Sequence, residues 1–371
     1  MVPSDAGAHA VDLLHELVAI PSVTGAEAGM VDFFEERFRR RGWTVESIDV
    51  SPGRRDLFIH RGRPRVVLTT HVDTVPPYFE PRREGGTLFA RGACDAKGCA
   101  AAMAIALEEL LPDTEKASLL LLVGEERGSD GALAANRHAP EGVEYLVGGE
   151  PTGNRFVAGS KGCLRISMEA RGRAGHSSTM KAEAEGDSAV PPLLDFLNAV
   201  RTIDFPEDPT FGATTMNIGV LEAGTAPNVI AERARAEVLL RTGVAVEQLL
   251  SRIQPLVKPP LTLQVPYRSD PIRFRVPKGW QGEIVSFACD LPLLPRWGEP
   301  ILVGPGSILD AHTAEERVEL SQIEEAVGLY QSLVRALLSE GEKHLETRPA
   351  DPLAARPSDL SPFTSRSHPR A

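Results

Sequence analysis

The sequence predicts an α/β protein whose mostly parallel sheet is interrupted by an inserted, ferredoxin-like α+β domain. Two patterns carry that expectation. In the first part of the chain short apolar runs alternate with helical stretches, the arrangement that covers a parallel sheet with helices on both faces. From about Lys161 the order becomes β-α-β-β-α-β, a unit able to close its own small core, after which the first pattern resumes. A chain of 371 residues also exceeds the size, roughly 250–300 residues, at which one hydrophobic core stops growing.

The opening stretch places Val11, Leu14, Leu17 and Val18 on one helical face. Thr24 and Glu27 have the spacing of a capping box for a second helix carrying Val31, Phe34 and Phe38, which Gly42 ends. Strands at 65–70, 119–123 and 143–147 lead into His71, into Glu125 with Glu126, and into Glu150, while Asp95 precedes a helix over 97–111. Sites in open α/β sheets form beyond the carboxyl ends of the strands, so these residues are expected to share one crevice. The insertion reads as strands at 163–170, 215–221, 234–241 and 261–265 with helices over 188–203 and 246–256. The return contains a strand at 301–303, the turn Gly304-Pro305-Gly306, a loop to His312 and a closing helix over 322–338. The expected division is therefore a discontinuous domain of residues 1–160 and 267–340 that carries the candidate site, an inserted domain of 161–266, and a disordered tail of 341–371, where Pro, Arg and Ser interrupt every periodicity.

With 42% hydrophobic and 25% charged residues the composition is that of a globular protein. The formal net charge of -11, without any long Lys/Arg run, gives no footprint for nucleic acid or an anionic membrane, so a small-molecule partner is expected. No apolar run reaches membrane-spanning length and the first ten residues lack the pattern of a secretory signal, from which a cytoplasmic protein is expected. Cys94, Cys99, Cys163 and Cys289 are scattered and do not resemble a disulfide framework; Cys94 and Cys99 lack the two-residue gap of a redox or zinc motif and are assigned to packing.

Two metal ions about 3.5–4 Å apart require roughly three protein ligands each, with one carboxylate able to bridge them. Five ligands with one shared suffice, and His71, Asp95, Glu126, Glu150 and His312 supply them, a mixture of imidazole and carboxylate that suits zinc, with cobalt or manganese as substitutes. Of the adjacent Glu125 and Glu126 at a strand end, one can bind metal while the other stays free to deprotonate water and carry the proton to a leaving nitrogen. His60 and His138 stand in no such context and are read as structural.

The stretches His71-Val-Asp-Thr-Val-Pro76, Arg91-Gly-Ala-Cys-Asp-Ala-Lys-Gly98, Glu125-Glu126, Gly149-Glu-Pro-Thr152, Gly175-His-Ser-Ser178, and Gly304-Pro-Gly306 with Ala311-His-Thr313 resemble, in order and spacing over about residues 10–340, the M20 metallopeptidases. Within that family the likeness is to the acetylornithine deacetylase and succinyl-diaminopimelate desuccinylase branch. The resemblance implies a zinc-exopeptidase-like catalytic domain and two zinc ions bridged by Asp95. It implies that His71 and Glu150 complete one site, that Glu126 and His312 complete the other, and that Glu125 is the general base. It further implies that Asp73 orients the His71 imidazole, that His176 stabilises the oxyanion across a homodimer interface, and that Asn228 and Arg241 contact substrate. The implied reaction is deacylation of a small N-acyl amino acid such as acetylornithine or acetyl-lysine, with desuccinylation or dipeptide cleavage as the alternatives. The departure falls between Pro271 and Pro300, where relatives carry Thr-Asp or Thr-Glu and this chain has Phe287-Ala-Cys-Asp-Leu291. That substitution motivates a rival from another class, a non-catalytic metabolite-binding protein, against which the retained Glu125 speaks. A two-metal phosphatase is disfavoured because no Gly-rich phosphate loop or Arg cluster accompanies the ligands.

Overall fold

The computed structural model describes residues 5–110, 115–179 and 188–344. Two helices, α1 (Asp5–Val18) and α2 (Ala28–Arg40), open the chain and bury the apolar faces read from the sequence. The capping box at the start of α2 does not form. Glu27 is the N-cap residue but lies in the helical region and makes no side-chain cap; its carboxylate instead accepts from Arg54 at 2.8 Å, and the Thr24 hydroxyl donates to Asp73 at 2.8 Å. Charged partners outbid a neutral main-chain N–H for both side chains.

The chain continues through β1 (Thr44–Ser51), β2 (Arg54–His60), β3 (Val66–His71), the short pair β4 (Arg82–Glu84) and β5 (Thr87–Phe89), α3 (Lys97–Leu110), β6 (Ala117–Leu122), α4 (Asp130–Ala135), β7 (Tyr145–Gly148) and β8 (Phe156–Ser160). The inserted unit follows as β9 (Gly162–Arg171), α5 (Val190–Arg201), β10 (Thr215–Ala223), β11 (Arg233–Thr242), α6 (Val246–Ile253) and β12 (Leu261–Ser269). The return comprises β13 (Ile272–Arg273), β14 (Gly282–Val285), β15 (Glu299–Leu302), β16 (Arg317–Glu319) and α7 (Leu320–His344). Helix α7 therefore runs past residue 340, into the segment expected to be a disordered tail; residues 345–371 lie outside the described residues.

The large sheet has nine strands in the order β1-β2-β6-β3-β7-β15-β8-β13, with β14 on β8. Its centre, β6-β3-β7-β15, is parallel, whereas β1, β2, β8 and β13 join through antiparallel pairings toward the edges. Every residue of β3 and β6 is buried, because α1, α3 and α7 cover one face while α4 and the segment around Trp297 cover the other. Burial on both faces explains why these strands are mostly apolar and show no in-out alternation. Along β3, Val66 and Leu68 point into the first cluster and Val67 into the second.

The four strands of the insertion form a separate antiparallel sheet in the order β10-β11-β9-β12, the ferredoxin-like arrangement. Its alternating inner residues, Leu164, Ile166, Met168, Ala236, Val238 and Leu240 among them, pack against α5 and α6. Lys161 alone separates β8 in the large sheet from β9 in the small one, and the chain rejoins the large sheet after Ser269, a little beyond residue 266.

Candidate metal centre and active site

The candidate ligands stand just past strand ends or in the loops between regular elements. β3 delivers His71, whose Nδ1 is 3.1 Å from the main-chain oxygen of Asp73. Nε2 then faces the crevice, 3.1 Å from Asp95 Oδ1 and 4.0 Å from Glu150 Oε2. Asp95 occupies the turn between β5 and α3, where the Asp95–Ala96 peptide is cis. Glu150 follows β7, Glu126 lies in a single 3₁₀ turn (Glu125–Arg127) after β6, and His312 lies in the loop between β15 and β16.

The donor atoms of His71, Asp95 and Glu150 lie within 4.8 Å of one another, and so do those of Asp95, Glu126 and His312. Asp95 is common to both groups: Oδ1 faces His71 while Oδ2 is 3.2 Å from His312 Nε2, which is also 2.9 Å from Glu126 Oε1. The first group is buried; the second opens to solvent through His312, whose side chain is 50% exposed. Glu125 belongs to neither group.

The turn that separates the two adjacent glutamates depends on Gly124 and Asp73. Gly124 has φ +81°, in the left-handed region that glycine adopts without penalty. Asp73 Oδ1 accepts the N–H of Glu125 at 3.1 Å, and Oδ2 accepts the N–H of Glu126 at 3.2 Å. Asp73 thus serves two neighbours: its main-chain oxygen and its carboxylate, 3.1 and 3.5 Å from Nδ1, face the His71 ring, and the same carboxylate caps the Glu125–Glu126 turn.

Electrostatics of the cluster follow from crowding negative groups away from water. Burial pushes the carboxyls of Glu125 and Glu150 well above the usual range, the charge on His71 pulls them back, and repulsion from Asp290 and Asp95 adds to the rise. Burial acts on Asp95 in the same sense, but hydrogen bonds to His312 and His71 outweigh it and hold its carboxyl below the usual range. His312 is raised to about 10 by its bonds to Asp95 and Glu126. Imidazolium groups thus supply the positive charge that so many converging carboxylates require, and a divalent cation bound to deprotonated imidazole supplies more of it. The donor set fits such cations. The thiols of Cys94, Cys99 and Cys289 are pushed up by burial and remain neutral, in keeping with their assignment to packing.

Two contributors were not picked out from the sequence. Asp290, in the divergent stretch, is buried and lines a cavity of ≈ 10 Å³ with Thr69, His71, Glu150 and Cys289; burial lifts its carboxyl to about 6. It is the single acid in 287–294, the only signal available. Glu316, fully buried, accepts main-chain N–H groups of the Asp95 turn. It follows Glu315, and such a pair ordinarily reads as a solvated surface.

The remaining expected residues lie in the small-sheet unit and belong to neither ligand group. His176 is exposed, with Nδ1 2.8 Å from Ser178 Oγ. The main-chain oxygen of Asn228 accepts from Ser177 at 3.0 Å, which brings the loops of His176 and Asn228 together. Arg241, half-buried on β11, stands opposite Cys163 of β9 and Thr215 of β10.

Residues 67–336 match the model of peptidase family M20/M25/M40. A peptidase M20 domain-containing protein of Schizosaccharomyces pombe is 34% identical, over 89% of this chain and 85% of the relative. A probable carboxypeptidase of Aspergillus clavatus is 33% identical, over 87% and 81%. Among solved structures, a tripeptidase of Staphylococcus aureus superposes with a TM-score of 0.73 at 20% identity, covering 89% of this chain and 99% of that one. Human carnosine dipeptidase 1 gives 0.67 at 15% identity, covering 90% and 96%, a likeness of fold. Members of this family use divalent metal ions, and the donor groups described above are candidates to hold them. With two ligand groups sharing Asp95 and the family model spanning most of its length, the chain belongs to peptidase family M20/M25/M40 and is a metal-dependent amidohydrolase.

Proposed function

We propose that the protein is a two-zinc enzyme that splits the amide bond between an acyl group and a small amino acid bearing a free carboxylate. The observation that supports this reading is the pair of three-residue donor groups sharing Asp95, with Glu125 alongside but outside both. His71, Asp95 and Glu150 would hold one ion and Asp95, Glu126 and His312 the other, in an imidazole and carboxylate set that suits zinc, with cobalt or manganese as substitutes. When bound, such a pair polarises a carbonyl and acidifies water. Glu125 takes the proton of the attacking water and hands it to the leaving nitrogen, while Asp73 keeps Glu125 turned toward the crevice. His176 stabilises the oxyanion, and Asn228 with the fork-shaped Arg241 guanidinium receives the polar end of the substrate. That His176 stands outside both donor groups of its own chain accords with service to a second copy in a homodimer joined through the open edge of β10.

N-acetylornithine, N-acetyl-lysine, succinyl-diaminopimelate and dipeptides share the required feature, a scissile nitrogen carried by an amino acid with its own carboxylate. Relatives called carboxypeptidases and a dipeptidase favour the peptide member of that set, and the motif likeness favours the N-acyl member. Hydrolysis of a panel of N-acetyl amino acids, N-succinyl amino acids and dipeptides, with and without added Zn²⁺, tests the proposal. Turnover that depends on Zn²⁺ and on Glu125 is the expected outcome. Tight binding without turnover across the panel favours the metabolite-binding alternative instead.

A further inference from the structure

We propose that Glu316, paired with Arg91, is a positioning residue that fixes Asp95 relative to His312 and thereby controls occupancy of the more exposed ion site. The inference rests on the two-ion reading above. Glu316 is buried beneath the Asp95 turn, out of reach of substrate. Its Oε1 accepts the N–H groups of Gly92 at 2.9 Å, Cys94 at 3.3 Å and Asp95 at 3.2 Å, and its Oε2 accepts from Arg91 Nη1 at 2.6 Å. Charge-assisted bonds of this kind are roughly twice as strong as neutral ones, so the whole turn from Arg91 to Asp95 is anchored on one carboxylate.

The anchor reaches further. Arg91 Nε donates to the oxygen of Pro77 at 3.1 Å, and its guanidinium lies 5.3 Å from the centre of the Phe79 ring, both in the segment that leaves His71. Glu316 itself follows His312 by four residues, and its main-chain oxygen accepts the N–H of Ala90 at 3.0 Å. A single buried ion pair thus joins the segments carrying His71, Asp95 and His312.

The candidate ligands differ in what else holds them. His71 ends a buried strand and Glu150 follows another, while Glu126 is capped by Asp73. Asp95 and His312 stand on irregular loops, His312 with φ +62°. Loss of Glu316 therefore loosens two donors of the half-exposed group and only one of the buried group. Residues that orient metal ligands from behind typically change affinity by about 10- to 100-fold when altered.

Metal-free wild type, Glu316→Gln, and the double variant Arg91→Met with Glu316→Gln are titrated with Zn²⁺ by calorimetry and with Co²⁺ by visible absorption. The double variant removes the cation that the single change leaves buried without its partner, and so guards against misfolding. Wild type should take up two ions, and the variants should weaken the looser step by about 10- to 100-fold with a smaller change in the tighter one. Unchanged affinities in a folded variant, or equal weakening of both steps, overturn the inference. A wild type that binds no divalent ion overturns the two-ion reading itself, and the inference with it.

Discussion

Glu125 and Glu126 are consecutive in the chain, yet only the second joins a donor group. Proton transfer falls to the first, so Glu125→Gln should lower kcat by about 10²- to 10⁴-fold while leaving Zn²⁺ stoichiometry and KM near wild type. Steady-state kinetics paired with metal analysis would separate this from simple loss of metal. His312→Ala removes a donor that only the exposed group uses, so one ion per chain should remain at limiting Zn²⁺; equilibrium dialysis checks it, and retention of both would count against the assignment. These ligands were legible because imidazoles and carboxylates at strand ends are chemically conspicuous, whereas Glu316 hides in an acidic pair of which Glu315 alone faces solvent. Which acid turns inward is decided by three main-chain N–H groups from residues more than two hundred positions away, and local pattern carries no trace of them.

Among the elements, the loop that follows β15 shows how closely the backbones must approach. A Cβ added at Gly304 would meet the main-chain oxygen of Glu150 at 2.5 Å and Cys99 Sγ at 2.8 Å. Gly304→Ala should therefore shift Glu150, costing about 1–3 kcal/mol of stability and weakening the buried ion site more than the exposed one. Chemical denaturation alongside Zn²⁺ titration measures both; an unchanged buried site would mean that the loop gives way instead. Central strands such as β3 and β6 were readable as short apolar segments between helical ones, and the inserted unit from its β-α-β-β-α-β order. The antiparallel margins, β1-β2 and β8-β13, were not, since partner choice at a sheet edge is set by contacts distant in sequence. The misread capping box has the same origin: the competing partners, Arg54 and Asp73, come from elsewhere in the fold.

For the molecule as a whole, stability should depend on pH through Asp56, which lies beside the strand leading to Glu125. Burial pushes its carboxyl up to about 8 from 3.8, only partly offset by the N–H of Val123. The unfolded chain releases this proton first, so the stabilisation is complete below the unfolded value of 3.8 and is lost as pH rises through about 8. Asp56→Asn, which retains an acceptor for Val123, should flatten the slope of Tm between these limits and raise Tm at pH 8; parallel slopes in the two proteins would contradict this. Ion binding should act on the same global equilibrium: chelation is expected to lower Tm by several degrees and Zn²⁺ to restore it, because ligands that bind only the folded state stabilise it. The most direct test is anomalous diffraction at the zinc edge from crystals grown with Zn²⁺. Two peaks flanking the Asp95 carboxylate, one against His71 and Glu150 and one against Glu126 and His312, are predicted; a crevice without zinc density, or with ions bound only elsewhere, would contradict the account.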